Sequence, residues 1–225
     1  MIKDTAIIKN KWARLIYSAV LAVLAISGVL GGYDGTFGIF MYYTYLSNII
    51  VCVIFAVQTV FCVLEVTGRS TIRIPSSIKG FGALAILFTF LTVFLVLSPF
   101  SAPSDWLDAR IHYIVPLMAF LEWIIFEPHG TMRFYHPMCW LFTPVAYFAY
   151  VLVLAISGIK YGEDDYFPYF FMDVAEYGWG FVMGMLLMLA GVFLVFGYIM
   201  FGADKLISKK KTHTHEIPPQ SLKKF

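Results

Sequence analysis

The sequence predicts an all-α integral membrane protein, a six-transmembrane-helix bundle with its N- and C-termini both cytoplasmic. Three observations predict it. Of the 225 residues, 60% are hydrophobic and only 13% charged, a balance unsuited to a soluble surface. Six stretches approach the roughly 20 apolar residues needed to cross a hydrocarbon core of about 30 Å. Lys and Arg gather at alternate connections, as they do on the cytoplasmic side of membrane proteins.

The first expected span, residues 15–32, follows Lys9, Lys11 and Arg14. A signal peptide cleaved near Ala25-Ile26-Ser27 would leave an odd number of spans and separate the two basic ends, so the segment is kept as a span. The second, residues 40–64, is the longest and has room to tilt or to extend past the lipid. It opens with Tyr42-Tyr43-Thr44-Tyr45-Leu46-Ser47-Asn48, and helical spacing puts Thr44, Ser47 and Asn48 on one face.

The third span, residues 81–97, is apolar. The fourth, residues 107–126, carries His112 and Glu122, with Asp108 at its mouth. Pro116 removes the amide that would bond the His112 carbonyl, which predicts a kink beside the histidine. The fifth span, residues 138–157, contains Pro144 and Tyr147, and the sixth, residues 178–201, follows the aromatic loop Tyr166 to Asp173. None of the segments shows the apolar/polar alternation of a barrel strand. Residues 1–205 read as one membrane domain. Residues 206–225 read as a disordered basic tail, with His213, His215, Pro218 and Pro219 exposed to solvent.

Orientation follows from the basic residues. The N-terminus, the second and fourth loops and the tail hold Lys3, Lys9, Lys11, Arg14, Arg69, Arg73, Lys79, Arg133 and the lysines from Lys205 onward. The first, third and fifth loops hold only Arg110 and Lys160 beside many acids, so Asp34, Asp105 and Asp164 are expected outside and Arg73, Arg133 and Lys210 inside. The basicity reflects topology and implies no nucleic acid partner. Cys52, Cys62 and Cys139 fit neither a disulfide framework nor a thiolate site, and no cofactor or metal is expected.

Ionisable groups within spans are costly and mark function. Glu65 and Asp204 lie at cytoplasmic ends, where they can reach water, and Glu122 can be neutral or paired with another helix. Thr44 and His112 each lie about five residues, roughly 7 Å, inside the same leaflet, so a hydroxyl and an imidazole could pair as nucleophile and base. The competing reading gives Thr44 a bond to the carbonyl one turn back and His112 a structural bond to a neighbouring helix. Asp108, one turn before His112, either orients the imidazole or caps the helix. The loop Tyr166 to Asp173 is either an interfacial aromatic belt or a lid over the pocket.

Three blocks resemble the androgen-induced membrane protein family, six-helix hydrolases of fatty-acid esters of hydroxy fatty acids, and especially its bacterial relatives. They are Tyr43-Thr44-Tyr45-Leu46-Ser47-Asn48, His112-Tyr113-Ile114-Val115-Pro116-Leu117 and Tyr166 through Asp173, with Pro144 and Tyr147 agreeing between them. The resemblance spans residues 10–203. It implies Thr44 as nucleophile and His112 as base; Asp108, Asn48, Ser47 and Asp173 are taken as supporting residues from their own positions. The Ser-Asn after the threonine follows the bacterial pattern, and Phe-Pro-Tyr-Phe-Phe replaces the shorter Tyr-Pro-Phe of animal members.

The expected function is therefore an intramembrane hydrolase of lipidic esters, with Asn48 or Ser47 donating to the oxyanion and membrane lipids as partners, in a bacterial plasma membrane. The alternatives are a lipid or small-molecule carrier or channel using the same pocket, and a non-catalytic membrane subunit.

Overall fold

The computed structural model describes residues 5–100, 102–162 and 165–216, with side chains as far as Lys210. The chain is a multi-pass membrane protein: six helices are long and apolar enough to cross a membrane. They are α1 (Lys11–Gly32), α2 (Tyr43–Val66), α3 (Ser76–Leu97), α4 (Trp106–Phe126), α5 (His136–Ile156) and α6 (Val174–Glu216). Among the described residues there is no strand.

Local signals set the boundaries. Asn10 caps α1 by accepting from the amides of Trp12 and Ala13 at 2.9 and 3.1 Å, so α1 starts before residue 15 and takes Arg14 into the helix. Pro75 precedes α3, which begins at Ser76 rather than 81 and therefore includes Lys79. Gly178, where the last span was expected to begin, is a kink inside α6 with φ of 76°. At its other end α6 is helical to Glu216, where a disordered tail from 206 was expected. No Gly or Pro interrupts it after Gly202, and the lysines at 205, 209 and 210 are good helix formers. Residues 217–225, and Asp164 in the fifth loop, lie outside the described residues.

The central helix is α3, with 61% of its apolar window buried against 11% for α5. Glycine lets α3 sit there, since a Cβ at Gly82 would meet Ile54 Cδ1 at 2.5 Å. On one side Leu21, Val51, Phe55, Ile86 and Val115 join α1 through α4; on the other Leu84, Phe88, Trp123, Trp140 and Phe193 join α3 through α6.

The segment before α1 and the Asp204 region of α6 meet the loop after α4 at one end of the bundle, and buried ion pairs lock that end. Lys79, expected in a loop, is 2% exposed and pairs with Glu122 of α4 and, at 2.7 Å, with Glu127. Glu65, expected to reach water, is buried and accepts from Arg14 and, at 3.0 Å, from Arg73. Asp204 is likewise buried, taking the amides of Gly130 and Met132 at 2.8 and 3.0 Å. In each case the carboxylate meets a partner because burying it alone would cost far more than the pair. The N-terminal segment is strapped over this end by bonds from Ile8 N to Ile125 O at 2.9 Å and from Thr5 Oγ1 to His129 O at 2.7 Å.

Candidate functional site

The opposite end holds a cavity of about 330 Å³ between the start of α2, the end of α3, the start of α4 and the fifth loop. Thr44, His112, Asp108, Tyr42, Tyr45, Ser98, Pro168 and Tyr169 line it with apolar side chains of α3 and α4.

Thr44 stands in the first turn of α2, whose first internal backbone bond is Tyr45 N to Tyr42 O at 3.1 Å. The amides of Tyr43 and Thr44 precede it and have no acceptor within the helix. The turn is held from α5, where the Tyr147 hydroxyl donates to Met41 O at 2.7 Å. Thr44 is buried, and its Oγ1 lies 3.2 Å from His112 Nε2.

His112 sits in a π-turn, Arg110–Ile114, in which Val115 N bonds Arg110 O instead of Ile111 O. Pro116 lacks the amide that could serve Ile111 O in this wider turn, so that carbonyl is left free. Asn48 fills it: its Nδ2 donates to Ile111 O at 3.1 Å and to Thr44 O at 2.8 Å. The kink expected at Pro116 is thus a π-turn pinned to α2. A second π-turn, Val93–Leu97, ends α3 beside the same cavity.

Asp108 Oδ1 lies 2.5 Å from His112 Nδ1, while its Oδ2 accepts from Ser104 N at 2.7 Å and Ser104 Oγ at 3.2 Å. The cap of α4 is Asp105, which accepts from Asp108 N at 2.8 Å, so Asp108 is available to the ring. With Nδ1–H directed at a carboxylate, Nε2 is the acceptor and Thr44 the donor. Thr44, His112 and Asp108 therefore form one continuous chain.

The remaining expected site residues lie differently. Both hydrogens of the Asn48 amide serve carbonyls, and the Ser47 hydroxyl lies 3.0 Å from Thr44 O and 2.7 Å from Thr89 Oγ1. These groups fix the α2–α3–α4 contact and do not offer the cavity an oxyanion donor. Asp173 caps α6, accepting from Ala175 and Glu176 amides at 2.9 and 3.0 Å. Glu122 belongs to the ion pairs of the other end.

Sequence reasoning left the loop tyrosine unresolved. Tyr169 is 8% exposed, stacks on Phe171 at 5.1 Å and meets Tyr42 edge-on at 5.8 Å. Its hydroxyl faces the Thr44 side chain and the amides of Tyr43 and Thr44. Burial raises its pKa above 10, outweighing those contacts, so the phenol keeps its proton at neutral pH. Tyr42 is pushed up to about 12, also chiefly by burial.

Phe171 also lines a second cavity, about 240 Å³, with Phe88, Pro144, Val145, Tyr147, Met183 and Leu187. Val145 and Leu187 are exposed, so its mouth faces the bilayer between α5 and α6, and the Tyr169–Phe171 stack stands between the two cavities. Among the described residues no cluster of His, Cys, Asp and Glu could hold a metal ion. Comparison with known proteins gives no match among family models, characterised proteins or solved structures.

Proposed function

We propose that the chain hydrolyses lipidic esters within the membrane, with Thr44 as nucleophile and His112 as general base. The observation that carries this reading is the chain Thr44–His112–Asp108, at 3.2 and 2.5 Å, opening on a cavity. The resemblance to the androgen-induced membrane protein family supports it through the same residues.

The ester carbonyl carbon is attacked by Thr44 Oγ1 as the hydroxyl proton passes to His112 Nε2. Asp108 holds the ring in the required tautomer and stabilises the imidazolium. The tetrahedral intermediate breaks its bond to the leaving alkoxide, which takes the proton from Nε2 and departs as the alcohol. Water, deprotonated by His112, then attacks the acyl-Thr44 ester; the acid leaves and Thr44 regains its proton. Threonine is hindered, so the reaction depends on the close approach of the base.

A lipidic substrate fits the surroundings. The second cavity is apolar, opens toward the bilayer and is separated from Thr44 by side chains of one loop. In this reading both termini face the cytoplasm, the Thr44 end faces outward, the host is a bacterial plasma membrane and substrate arrives from the outer leaflet.

Purified protein in lipid nanodiscs is expected to hydrolyse long-chain acyl esters. Thr44→Ala and His112→Ala should each abolish turnover, the double variant should add little, and Thr44→Ser should stay active. A folded Thr44→Ala protein working at the wild-type rate would remove the nucleophile, leaving a carrier as the better reading of the cavity.

A further inference from the structure

We propose that Tyr169 is a catalytic residue of this site, its phenol supplying the hydrogen bond that stabilises the oxyanion. The inference rests on the ester-hydrolase reading and assigns a role that reading leaves empty. Acyl transfer needs a donor near the developing negative charge. Asn48 and Ser47 have their hydrogens engaged with Thr44 O, Ile111 O and Thr89. The Tyr45 hydroxyl packs against Gly32, away from Thr44.

Tyr169 is placed for the task. It lines the cavity with Thr44 and His112, and its ring is fixed between Phe171, Tyr42 and Tyr147, the last at 6.4 Å. Its oxygen faces two first-turn amides of α2 that have no helical acceptor, and it can receive hydrogen bonds from them. Its hydrogen is then free to point at Thr44 Oγ1, whose own hydrogen is directed to His112 Nε2.

This order makes the donor available when it is needed. In the resting site the phenol donates to the Thr44 oxygen. On attack that oxygen forms its bond to the carbonyl carbon, its proton moves to His112, and negative charge appears on the adjacent carbonyl oxygen. The phenol hydrogen turns to that oxygen while remaining bonded to Tyr169, so no proton is exchanged. Amides donating to the phenol oxygen strengthen it as a donor, and the positive end of α2 acts in the same sense.

The test compares wild type, Tyr169→Phe and a protein carrying 3-fluorotyrosine at 169, each full length in nanodiscs. It measures kcat and KM for a long-chain p-nitrophenyl ester and the rate at which a long-chain fluorophosphonate modifies Thr44, read by mass spectrometry. Phe keeps the ring stack, so the melting temperature and KM should stay near wild type while kcat falls 10²–10³-fold, the usual loss for one oxyanion donor. Thr44 modification should slow in the same proportion, and fluorotyrosine, which retains the hydroxyl, should restore both. A Tyr169→Phe kcat within twofold of wild type would overturn the role of Tyr169 and leave the hydrolase reading intact. A wild-type protein that neither turns over the ester nor takes the phosphonate at Thr44 would overturn both.

Discussion

Replacing Asp108 by Asn tests whether the carboxylate works through the imidazole. Its Oδ1 lies 2.5 Å from His112 Nδ1, and the side chains are 25% and 21% exposed. A hydrogen bond to a charged group contributes about 1.5–3 kcal/mol, and partial exposure places this one toward the lower value. If the whole of about 1.5–2 kcal/mol is realised when the imidazolium forms, kcat falls roughly 10–30-fold at about 1.4 kcal/mol per decade. Loss of the correct tautomer would add to this, because an amide nitrogen can turn toward Nδ1, and the limit is then about 10⁴-fold. Asp108→Ala separates the contributions, since it removes the carboxylate without offering a competing donor. The assay is steady-state hydrolysis of a long-chain ester with melting temperature recorded in parallel. An Asp108→Asn enzyme with unchanged kcat would reduce Asp108 to a support for Ser104 and remove it from the mechanism.

Three other perturbations have defined outcomes. Lys79→Met leaves Glu122 and Glu127 buried without their cation. The expected cost is about 3–5 kcal/mol, or a melting temperature lower by roughly 6–20 °C, recovered in part in Lys79→Met/Glu122→Met, where Glu127 keeps only Ser76 as a donor; a single variant melting like wild type refutes the clamp. Asn48→Ala strips Ile111 O of its partner, so a loss of about 1–3 kcal/mol should accompany loss of activity, and retained activity would show that the π-turn does not need pinning. In a cysteine-free background, an impermeant maleimide should label Asp34→Cys but not Arg133→Cys in intact cells, and the reverse pattern would invert the proposed topology.

The spans are legible in the sequence because length and apolarity suffice to identify them, and the Thr44–His112 approach follows from their equal depth on two helices that enter the membrane from the same side. Lys79 is not legible: a basic residue in a short connection looks the same whether it faces water or enters the next helix. Only the start of α3 after Pro75 and the partners on α4 decide it. The shared face of Thr44, Ser47 and Asn48 can also be read, but not which way it turns. Thr44 reaches the cavity, while Ser47 goes to α3 and Asn48 to a carbonyl freed by a π-turn on α4. Tyr169 is indistinguishable from interfacial tyrosines until the fifth loop is folded over α2.

The two ends of the bundle divide the physical work. At the end that holds Thr5 and Asp204, buried carboxylates on α2, α4 and α6 meet cations or amides, and an exchange of partners there would strand a charge in a poorly solvating interior. That fixes the height of α1 against α2 and of α3 against α4. At the other end the same helices have π-turns and first-turn amides without acceptors in their own helix, arrangements that give up regular backbone bonding. The site there holds a hydroxyl, an imidazole and a carboxylate within hydrogen-bonding reach using helices that do not complete their own ladders. Asn48 meets this need, because one amide bonds the carbonyl of Thr44 and a carbonyl next to His112. The Asn48 side chain therefore ties the Thr44 turn of α2 directly to the His112 turn of α4. Substitution at 48 should be felt at both Thr44 and His112, although the Asn48 amide hydrogens face neither side chain.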